Sequence, residues 1–499
     1  MSLPELEQFL SWFQNSGGTI DRDAIGFKYF SSAEGGRGAV ALKNIEKDQT
    51  LFTIPRYLTL SSKTSTLPEK FGHKIWKERA LDKGWSGLIL CMMWEDAQAL
   101  NSKWGPYLET LPTAFDTPMF WSEKDLQELE GTSVVEKLGK EDAERDYHDK
   151  VVSAIQSRPD LFPPGTITIH YSLERYHVMG SRILSRSFDV ERTNTDDYTG
   201  DEEMNTDADR STGNAMDVDV HDEQAGKEDN SIRAPEDEEE DEEDGIDVSM
   251  VPIADLLNAR FGSENVKLFY EENELKMITT KRISAGEQIW NTYDDLPNNE
   301  LLRKYGHVDI LPLPGGAKGN PADVVEIRAD LVLSAFSSQS GTDAASSAER
   351  IDWWLEEGGD DIFVLETDYE VPEAIASLTR LLCLSSDEWE KARGKGKPPK
   401  PKLDSPVLDL IIIALQKRIA QYSSTMKEDE QILETKEGMS FNKYQAVIVR
   451  LGEKRILHTT LQRLQNLLAA EKAKSDNTQK RKPVSTFEGP SKSMKKARR

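Results

Sequence analysis

Residues 251–309 constrain the fold more than any other part of the chain, because one continuous run combines an Asp-x-x-Asn turn with three short strand patterns. Residues 267–270 and 274–280 flank a Glu-Glu-Asn turn and are rich in apolar and aromatic side chains, so they are predicted to form a hairpin. Residues 288–292 follow a Ser-Ala-Gly turn and are predicted to be a third strand. The run therefore predicts a small antiparallel sheet.

Polar landmarks bracket this predicted sheet: Asn258 precedes it, and Tyr293 follows it where the chain enters the turn DDLPNN. This order resembles the carboxyl-terminal half of a SET domain, the lysine methyltransferase fold that uses S-adenosylmethionine. EGGRGAVALKNIEKDQTLFTIPR at 34–56 is similar to the family's opening glycine-rich turn and strands, and YSLERYHVMGSRILSRSF at 171–188 to the helix before the core resumes. The resemblance extends to the subgroup of Rubisco large-subunit methyltransferase and SET-domain protein 6, and especially to fungal ribosomal lysine methyltransferases.

The resemblance implies an α+β fold with a β-rich SET core, a helical insert and an all-helical carboxyl-terminal substrate-binding lobe. Apolar residues at intervals of three and four support helices after residue 61 and again beyond residue 320. The segment KNIEKDQTLF also matches KRISAGEQIW in spacing, which suggests two similar hairpins. The expected parts are the amino-terminal core 1–61, insert 62–188, disordered acidic loop 189–247, carboxyl-terminal core 248–310, helical substrate-binding domain 320–472 and disordered basic tail 473–499.

Charge is concentrated in two of these segments. Residues 189–247 contain 25 acidic and four basic residues, so they carry most of the chain's formal charge of −27. Few aromatic residues accompany that charge, which predicts a disordered loop. The final basic clusters, in KRKPVSTFEGPSKSMKKARR, predict a nuclear-import signal, with a nucleic-acid arm as the alternative. We therefore expect the nucleus, contact with the import machinery and no direct nucleic-acid binding.

Other compositional features narrow the function classes. The two cysteines, Cys91 and Cys383, are too few for a zinc cluster, and they do not suggest a disulfide framework. No apolar run approaches the roughly 18 residues of a membrane-spanning helix, so no membrane association is expected. Methyl transfer to an amine is an in-line displacement that mainly requires alignment and a deprotonated acceptor, so no metal is expected.

The resemblance assigns binding of S-adenosylmethionine to particular residues: Gly35, Gly36, Arg37, Arg186, Asn258, Ala259, Tyr293 and Tyr305. By themselves the glycines also fit a hairpin turn, Arg186 a surface arginine and Asn258 a turn residue. Ala259 stands where family members usually have histidine, so a contact from that side chain is not carried over. Arg186 could pair with the donor's carboxylate through its guanidinium.

The resemblance also places the reaction centre. Tyr293 matches the family's catalytic tyrosine, although a tyrosine at a strand end is often part of a core. Ser187 and Phe188 are candidates for the channel that receives the lysine. The expected function is methylation of a lysine in a basic protein, a large-subunit ribosomal protein. The alternatives are a transcription or chromatin protein as substrate, and a non-catalytic acidic module that binds basic proteins.

Overall fold

A computed structural model describes residues 3–30, 36–192, 246–292, 295–313, 316–340, 344–435 and 439–480. The chain divides into two compact units. The first consists of Met1–Ser122, Glu136–Leu296 and Glu300–Asp309. The second consists of Glu123–Val135, Pro297–Asn299 and Ile310–Arg499. Helices and strands both occur, as the predicted α+β class requires.

The strands are β1 (Thr19–Ile20), β2 (Ile25–Tyr29), β3 (Arg37–Ala41), β4 (Thr50–Pro55), β5 (Ser187–Glu191), β6 (Ile246–Met250), β7 (Asn258–Ala259), β8 (Val266–Tyr270), β9 (Glu274–Thr279), β10 (Gln288–Asn291), β11 (Leu311–Pro312), β12 (Lys318–Gly319), β13 (Val325–Arg328) and β14 (Ile362–Leu365). The helices are α1 (Leu3–Asn15), α2 (Leu67–Phe71), α3 (His73–Glu78), α4 (Ser86–Gln98), α5 (Gly105–Leu108), α6 (Glu123–Leu126), α7 (Ser133–Glu136), α8 (Lys140–Asp146), α9 (Ser153–Ser157), α10 (Pro164–His170), α11 (Leu173–Arg186), α12 (Asn298–Tyr305), α13 (Ala329–Ser340), α14 (Ala344–Glu356), α15 (Glu373–Cys383), α16 (Ser386–Arg393), α17 (Ser405–Ile419), α18 (Met426–Thr435) and α19 (Phe441–Lys480).

Two four-stranded sheets form the β core of the first unit. Their strand orders are β1-β4-β9-β8 and β2-β3-β10-β7. The hairpin predicted around the Glu-Glu-Asn turn is β8 and β9, and the predicted third strand is β10, each within one or two residues of its expected ends. The expectation that the three strands form one small sheet is wrong, because β10 pairs with β3 and β7 in the other sheet, and a strand pattern does not specify its partners. In β9, half-buried and buried positions alternate, as they do in a strand with one face on a core. Such alternation can be recognised in the sequence, which made the strand predictable.

The two similar hairpins inferred from the sequence pair with each other. Ile45 and Ile283 exchange backbone N–H···O=C bonds of 2.9 and 3.0 Å, and both side chains are fully buried. The turns that follow have positive φ at matching positions, Asp48 at 64° and Gly286 at 89°. Because 238 residues separate the two isoleucines, this pairing closes the β core over everything inserted between its halves.

Helix α4 packs into the core of the first unit from the predicted insert. Residues 88–93 are all at most 4% exposed, so this helix is buried on every side of two consecutive turns. A helix apolar all round belongs inside a protein, which explains why GLILCMM lacks a polar face. The predicted helical character of this stretch is confirmed.

The predicted acidic loop is shorter than expected at both ends. Strand β5 continues to Glu191 and pairs with β6, which starts at Ile246, so Asp189 lies opposite Val248. The expected boundaries at 189 and 247 are therefore wrong by a few residues, because alternating residues at the ends of the acidic run can extend a hairpin despite their charge. Residues 193–245 lie outside the described residues.

The helical pattern predicted for 122–138 is interrupted. Helices α6 and α7 are short, and Gly131 between them has φ of 82°. A Cβ on Gly131 would lie 2.7 Å from the Gln421 carbonyl oxygen, so only glycine fits this close approach. Residues 123–135 belong to the second unit, whereas the sequence reading kept them inside the insert.

The second unit has a separate hydrophobic core formed mainly by α13, α15, α17 and α19. The helices predicted around LDLIIIALQKRIAQYSS and FNKYQAVIVRLGEKRILHTTLQRL are confirmed as α17 and α19. The lobe is not entirely helical, because β11 pairs with β12 and β13 pairs with β14. Strands of two to four residues are too short to give a period that distinguishes them from loops.

Charged side chains are buried inside the second unit and are paired there. Asp429 accepts hydrogen bonds from Arg450 Nη2 at 2.7 Å and from Lys454 Nζ at 2.6 Å. Glu453 accepts from Arg418 Nη2 at 3.2 Å and from the Tyr422 hydroxyl. Buried charges need such partners, because an unpaired one would remain desolvated.

No helix within the described ranges has the length and apolar character required to cross a membrane.

We expect Thr279→Val to lower the free energy of unfolding by roughly 1–3 kcal/mol, the usual cost of leaving buried polar partners unsatisfied. The fully buried Thr279 hydroxyl donates to the Glu46 carbonyl oxygen at 2.7 Å and accepts from the Gln49 N–H at 2.9 Å. Urea unfolding measures the change. Thr280→Val is the control, since the half-buried Thr280 hydroxyl makes no hydrogen bond to any described residue. Equal losses in both variants would contradict the expected role of Thr279.

We expect the free energy of unfolding to fall as pH rises through neutrality. Burial raises the pKa of Glu453 and of Asp323 to about 7, and the nearby Asp323 carboxylate also contributes to the raised pKa of Glu453. A carboxyl group with a raised pKa in the folded state contributes stability at low pH and loses it as pH rises through about 7, at up to roughly 1.4 kcal/mol per pH unit for each group. Urea unfolding at pH 5, 6, 7 and 8 tests this, with Glu453→Gln expected to flatten the dependence. An identical pH profile for both proteins would refute it.

Candidate active site

A cavity of about 780 Å³ opens in the first unit, between the end of the β2-β3-β10-β7 sheet and the loop at 109–116. The structure brings five of the predicted donor-binding residues to its wall: Arg37, Arg186, Asn258, Ala259 and Tyr305. Gly36 adjoins Arg37 and adopts φ of 68°, a conformation that favours glycine. Gly35 and the predicted catalytic Tyr293 lie outside the described residues.

Strand β7 brings Asn258 into the site. It runs parallel to β10, with Asn258 opposite Trp290 and Ala259 opposite Asn291. The Asn265 side chain fixes this region, because its Oδ1 accepts from the Trp290 N–H at 2.8 Å and its Nδ2 donates to the Gln288 carbonyl oxygen at 3.1 Å. Because Trp290 of β10 lies opposite Asn258, the segment of chain that leads to Tyr293 passes beside Asn258.

The Asn258 amide is buried without a partner. Its Nδ2 makes no hydrogen bond to any described residue. A Cβ on Gly38 would lie 2.5 Å from that nitrogen, so glycine keeps the space in front of the amide open. A buried donor without a partner usually marks a functional position. Together the two residues fit an acceptor group of a bound ligand, such as the carboxylate of S-adenosylmethionine.

A fully buried carboxylate, Asp255, lies behind this position. Its Oδ2 accepts from the Tyr107 hydroxyl at 3.0 Å and lies 3.9 Å from Arg186 Nη1, which donates to the Asp255 carbonyl oxygen at 2.6 Å. Burial raises the pKa of Asp255, while Arg186 and Arg37 oppose that shift. Burial and the neighbouring Arg186 lower the pKa of Arg37. Two guanidinium groups around one carboxylate leave this end of the cavity suited to an anionic ligand group.

The turn before Asp255 has an uncommon backbone conformation. Ile253 has φ of 72° and ψ of −48°, values close to those of a γ-turn and rare for a β-branched residue. The side chain is fully buried, so packing holds the residue in place. Strained residues of this kind cluster near functional sites, and this one sets the direction of the short 3₁₀ helix that carries Asp255.

Tyr305 and His307 are two of the aromatic residues of the cavity wall. Their rings lie 6.0 Å apart between centroids. Gly306 between them has φ of 76°, and a Cβ there would lie 2.9 Å from the Asp116 carbonyl carbon, so the chain passes this close only as glycine. Burial lowers the pKa of His307, and the nearby Asp309 only partly offsets the effect, which favours a neutral imidazole at pH 7.

The two predicted lysine-channel residues lie apart from this cavity wall. Ser187 and Phe188 begin β5, opposite Met250 and Ser249. Phe188 is half-buried and packs against the core of the first unit. Their proposed contact with a lysine stays a prediction.

Several cavity residues were not identified as site residues from the sequence. The quoted motifs include Asp255, Trp290 and His307. Their closeness in sequence to Asn258 and Tyr305 could therefore have identified them as site residues. Tyr107 does not line the cavity but bonds to Asp255, and it gave no such signal because 148 positions separate the two residues in the chain. Among the described residues, no group of three or more histidine, cysteine, aspartate or glutamate side chains is arranged to hold a metal ion.

The fold and the site together define a protein of the SET type, in which a core of two sheets places the turn before Asn258 beside a cavity. The chain belongs to the SET domain family, whose family model matches residues 36–294. A second family model, described as Rubisco LSMT substrate-binding, matches residues 344–457. SET domain enzymes transfer methyl groups from S-adenosylmethionine to protein lysines, and membership confirms the expected fold, enzyme class and methyl donor.

Individual relatives agree with this family. The chain is 30% identical over 310 residues to "Ribosomal lysine N-methyltransferase 4" of Saccharomyces cerevisiae, an alignment that covers 61% of this chain and 56% of the yeast protein. The chain thus spans little more than half of that relative. It is 27% identical over 457 residues to "N-lysine methyltransferase SETD6" of Homo sapiens, covering 86% and 84% of the two chains.

Solved structures with the same fold include two of the Rubisco enzyme. One is described as "Crystal structure of the SET domain of LSMT bound to Lysine and AdoHcy", with a TM-score of 0.62, 19% identity, and coverage of 93% of this chain and 92% of that chain. Another, "Structure of Rubisco LSMT bound to AdoMet", has a TM-score of 0.61, 18% identity, and coverage of 96% and 97%. At these identities the likeness concerns the fold.

We expect Asn258→Ala and Arg186→Ala each to weaken S-adenosylmethionine binding by about tenfold, because each removes a polar partner worth roughly 1–3 kcal/mol in a buried site. Calorimetric titration with the donor measures the change, and circular dichroism checks folding. Asn101→Ala replaces an exposed asparagine elsewhere in the first unit and serves as the control. Donor affinity that is unchanged in both site variants would remove Asn258 and Arg186 from the site.

Proposed function

We propose that this chain methylates a lysine in a basic protein of the large ribosomal subunit, with S-adenosylmethionine as the donor. The main support for a donor-binding site is the Asn258 amide, which has no partner among the described residues and faces the space left by Gly38. The ribosomal substrate is supported by the similarity to the yeast ribosomal lysine methyltransferase.

Different residues around the cavity suit different chemical groups of the donor. Asn258 and Arg186 suit the donor's amino-acid end, and Asp255 holds Arg186 through its carbonyl oxygen. Gly35, Gly36 and Arg37 would bring backbone close to the donor, since glycine permits such approach. Backbone groups of Ala259 and the ring of Tyr305 would contact its nucleoside part. The donor supplies the activated methyl group when it is bound.

Tyr293 is the proposed catalytic residue. Its hydroxyl would hold the acceptor amine and the methyl group in line, while Ser187 and Phe188 would line the approach of the lysine side chain. A free lysine has a pKa near 10.4, so the acceptor must lose its proton before transfer. A desolvated channel promotes that loss because burial disfavours the charged form.

The carboxyl-terminal lobe is the proposed substrate-binding domain. Its support is the match of residues 344–457 to the family model described as substrate-binding. Partners of such an enzyme are basic proteins, and the exposed acidic residues of α14 and the following loop suit them.

A transcription or chromatin protein is the second candidate substrate. One observation favours it: the alignment with human SETD6 covers 86% of this chain, against 61% for the yeast enzyme. The non-catalytic binding module receives less support, because the family is enzymatic.

A nuclear location is also part of the proposal. It is supported by the basic clusters in residues 480–499, which resemble an import signal that the import machinery would recognise. Newly made ribosomal proteins pass through the nucleus, so enzyme and substrate would meet there.

We expect Tyr293→Phe to reduce methyl transfer by roughly a hundredfold or more, the loss typical of a preorganised polar group that acts at the transition state. The phenylalanine ring keeps the packing, so folding and donor affinity should not change. Incorporation of labelled methyl groups into purified large-subunit ribosomal proteins measures the effect.

Two outcomes would contradict parts of this proposal. Equal turnover of wild type and Tyr293→Phe would remove Tyr293 from the reaction centre. Unchanged ribosomal-protein masses in a strain that lacks this chain, together with methylated nuclear proteins lost from the same strain, would replace the ribosomal substrate with the second candidate.

A further inference from the structure

The edge of β14 in the second unit is a strand surface with no partner on one side. Among the described residues, β14 forms a sheet with β13 alone. The inward residues Phe363 and Leu365 are buried, whereas Ile362 and Val364 are 37% and 42% exposed. A β-branched pair exposed along a sheet edge is unusual, because natural edges are more often protected by charge or proline.

The hydrogen-bond pattern shows which backbone groups face that edge. Ala329 N–H donates to the Asp361 carbonyl oxygen at 2.7 Å, so this pair is hydrogen-bonded. In an antiparallel ladder hydrogen-bonded pairs alternate with pairs that are not, so Ile327 and Phe363 are also hydrogen-bonded. Ile362 and Val364 therefore direct their N–H and C=O groups away from β13, toward the open edge.

Acidic side chains stand at both ends of this edge. Asp360 and Asp361 precede β14 and Glu366 follows it, and all three are exposed. The Trp354 indole N–H donates to the Asp360 carbonyl oxygen at 2.7 Å and so fixes the backbone that leads into β14. Because every second residue of a strand shares a face, Asp360, Ile362, Val364 and Glu366 lie on one face and match an extended segment that carries basic, apolar, apolar and basic side chains at every second position.

We propose that the open edge of β14 binds an extended, lysine- or arginine-rich segment of the protein substrate as an added strand. Main-chain hydrogen bonds to Ile362 and Val364 give affinity without strict sequence requirements, and the flanking carboxylates select basic partners. The inference rests on the proposed function for the identity of that partner, a ribosomal protein. The inference adds a contact between the protein substrate and β14, which is distant in sequence from the residues of the donor cavity.

A second copy of this chain fits the edge less well. If two β14 strands paired antiparallel around Ile362 and Val364, Asp360 of one copy would oppose Glu366 of the other. Like charges directly opposite each other destabilise a strand pair. A basic segment gains from the same carboxylates, and the attraction should weaken as salt rises.

The direct test is fluorescence anisotropy with full-length protein and a labelled seven-residue peptide that has lysine at its two ends, valine at its third and fifth positions and threonine between them, so that one face matches the edge. A peptide of the same sequence with every backbone amide N-methylated keeps the charge but cannot donate main-chain hydrogen bonds. We expect the unmodified peptide to bind at least about fivefold more tightly, the factor that corresponds to one net hydrogen bond. Equal binding would overturn strand addition.

Two matched variants test the contributions of charge and backbone. Asp360→Lys/Glu366→Lys should weaken peptide binding about tenfold. Glu430→Lys/Glu434→Lys, at exposed positions of α18, makes the same change in net charge and should leave affinity within about twofold. Val364→Pro removes an outward N–H that β13 does not use and should weaken binding about fivefold. Equal losses in both charge variants would overturn the proposal.

Other occupants give distinct results. If truncation after residue 480 raises peptide affinity more than about tenfold, the chain's own basic tail occupies the edge and the proposal is wrong. If light scattering finds a dimer that Val364→Pro dissociates, the edge joins two copies and the proposal is again wrong.

Methylation kinetics separate this inference from the proposed function. With a ribosomal protein that wild type methylates, Asp360→Lys/Glu366→Lys should raise KM for the whole protein but not for a short peptide around the target lysine. If wild type methylates no ribosomal protein, the proposed substrate is wrong, while the anisotropy results still decide whether β14 accepts a basic strand.

Discussion

The arrangement of the candidate site depends on the buried carboxylate of Asp255. It is bonded to Tyr107 of the helical insert and lies beside Arg186 at the end of α11, while Arg37 of β3 influences its charge. An isolated carboxylate this deeply buried would be expensive, so its partners are held in place by the cost of leaving it unpaired. Three distant parts of the chain thereby meet on one side of a single cavity.

The β core gives this cluster a fixed frame. The Ile45–Ile283 bridge joins the two halves of the core, and the β7–β10 register then sets Asn258 beside Trp290. The first contact connects segments separated by the helical insert and the acidic stretch, whereas only the β8–β9 hairpin lies between β7 and β10. Insertions of this kind add little to the cost of closing a loop, since that cost grows only slowly with length. The site can therefore remain assembled from a discontinuous core.

Where local pattern and motif order agreed, the sequence predicted the strands and named five residues that line one cavity. Strands β8 and β9 alternate between buried and more exposed positions on either side of a turn, while β10, which is buried throughout, was recognised from the Ser-Ala-Gly turn before it. Tyr107 and its bond to Asp255 could not be predicted, because no local period reports a contact across 148 residues. The break at Gly131 was missed since a helical period continues on both sides, and only the close Gln421 carbonyl requires the glycine.

The buried carboxylate of Asp429 and the buried polar groups at the cavity differ in their hydrogen-bond partners. In the second unit Asp429 has Arg450 and Lys454 as charged partners, a network that stabilises the position of α18 against α19. At the cavity, Asn258 Nδ2, Arg186 Nε and Asp255 Oδ1 have no partner among the described residues. Each such atom costs roughly 1–3 kcal/mol of stability. A fold that keeps three of them around one cavity retains hydrogen-bonding capacity for a polar ligand, and the donor's amino-acid end has the matching groups.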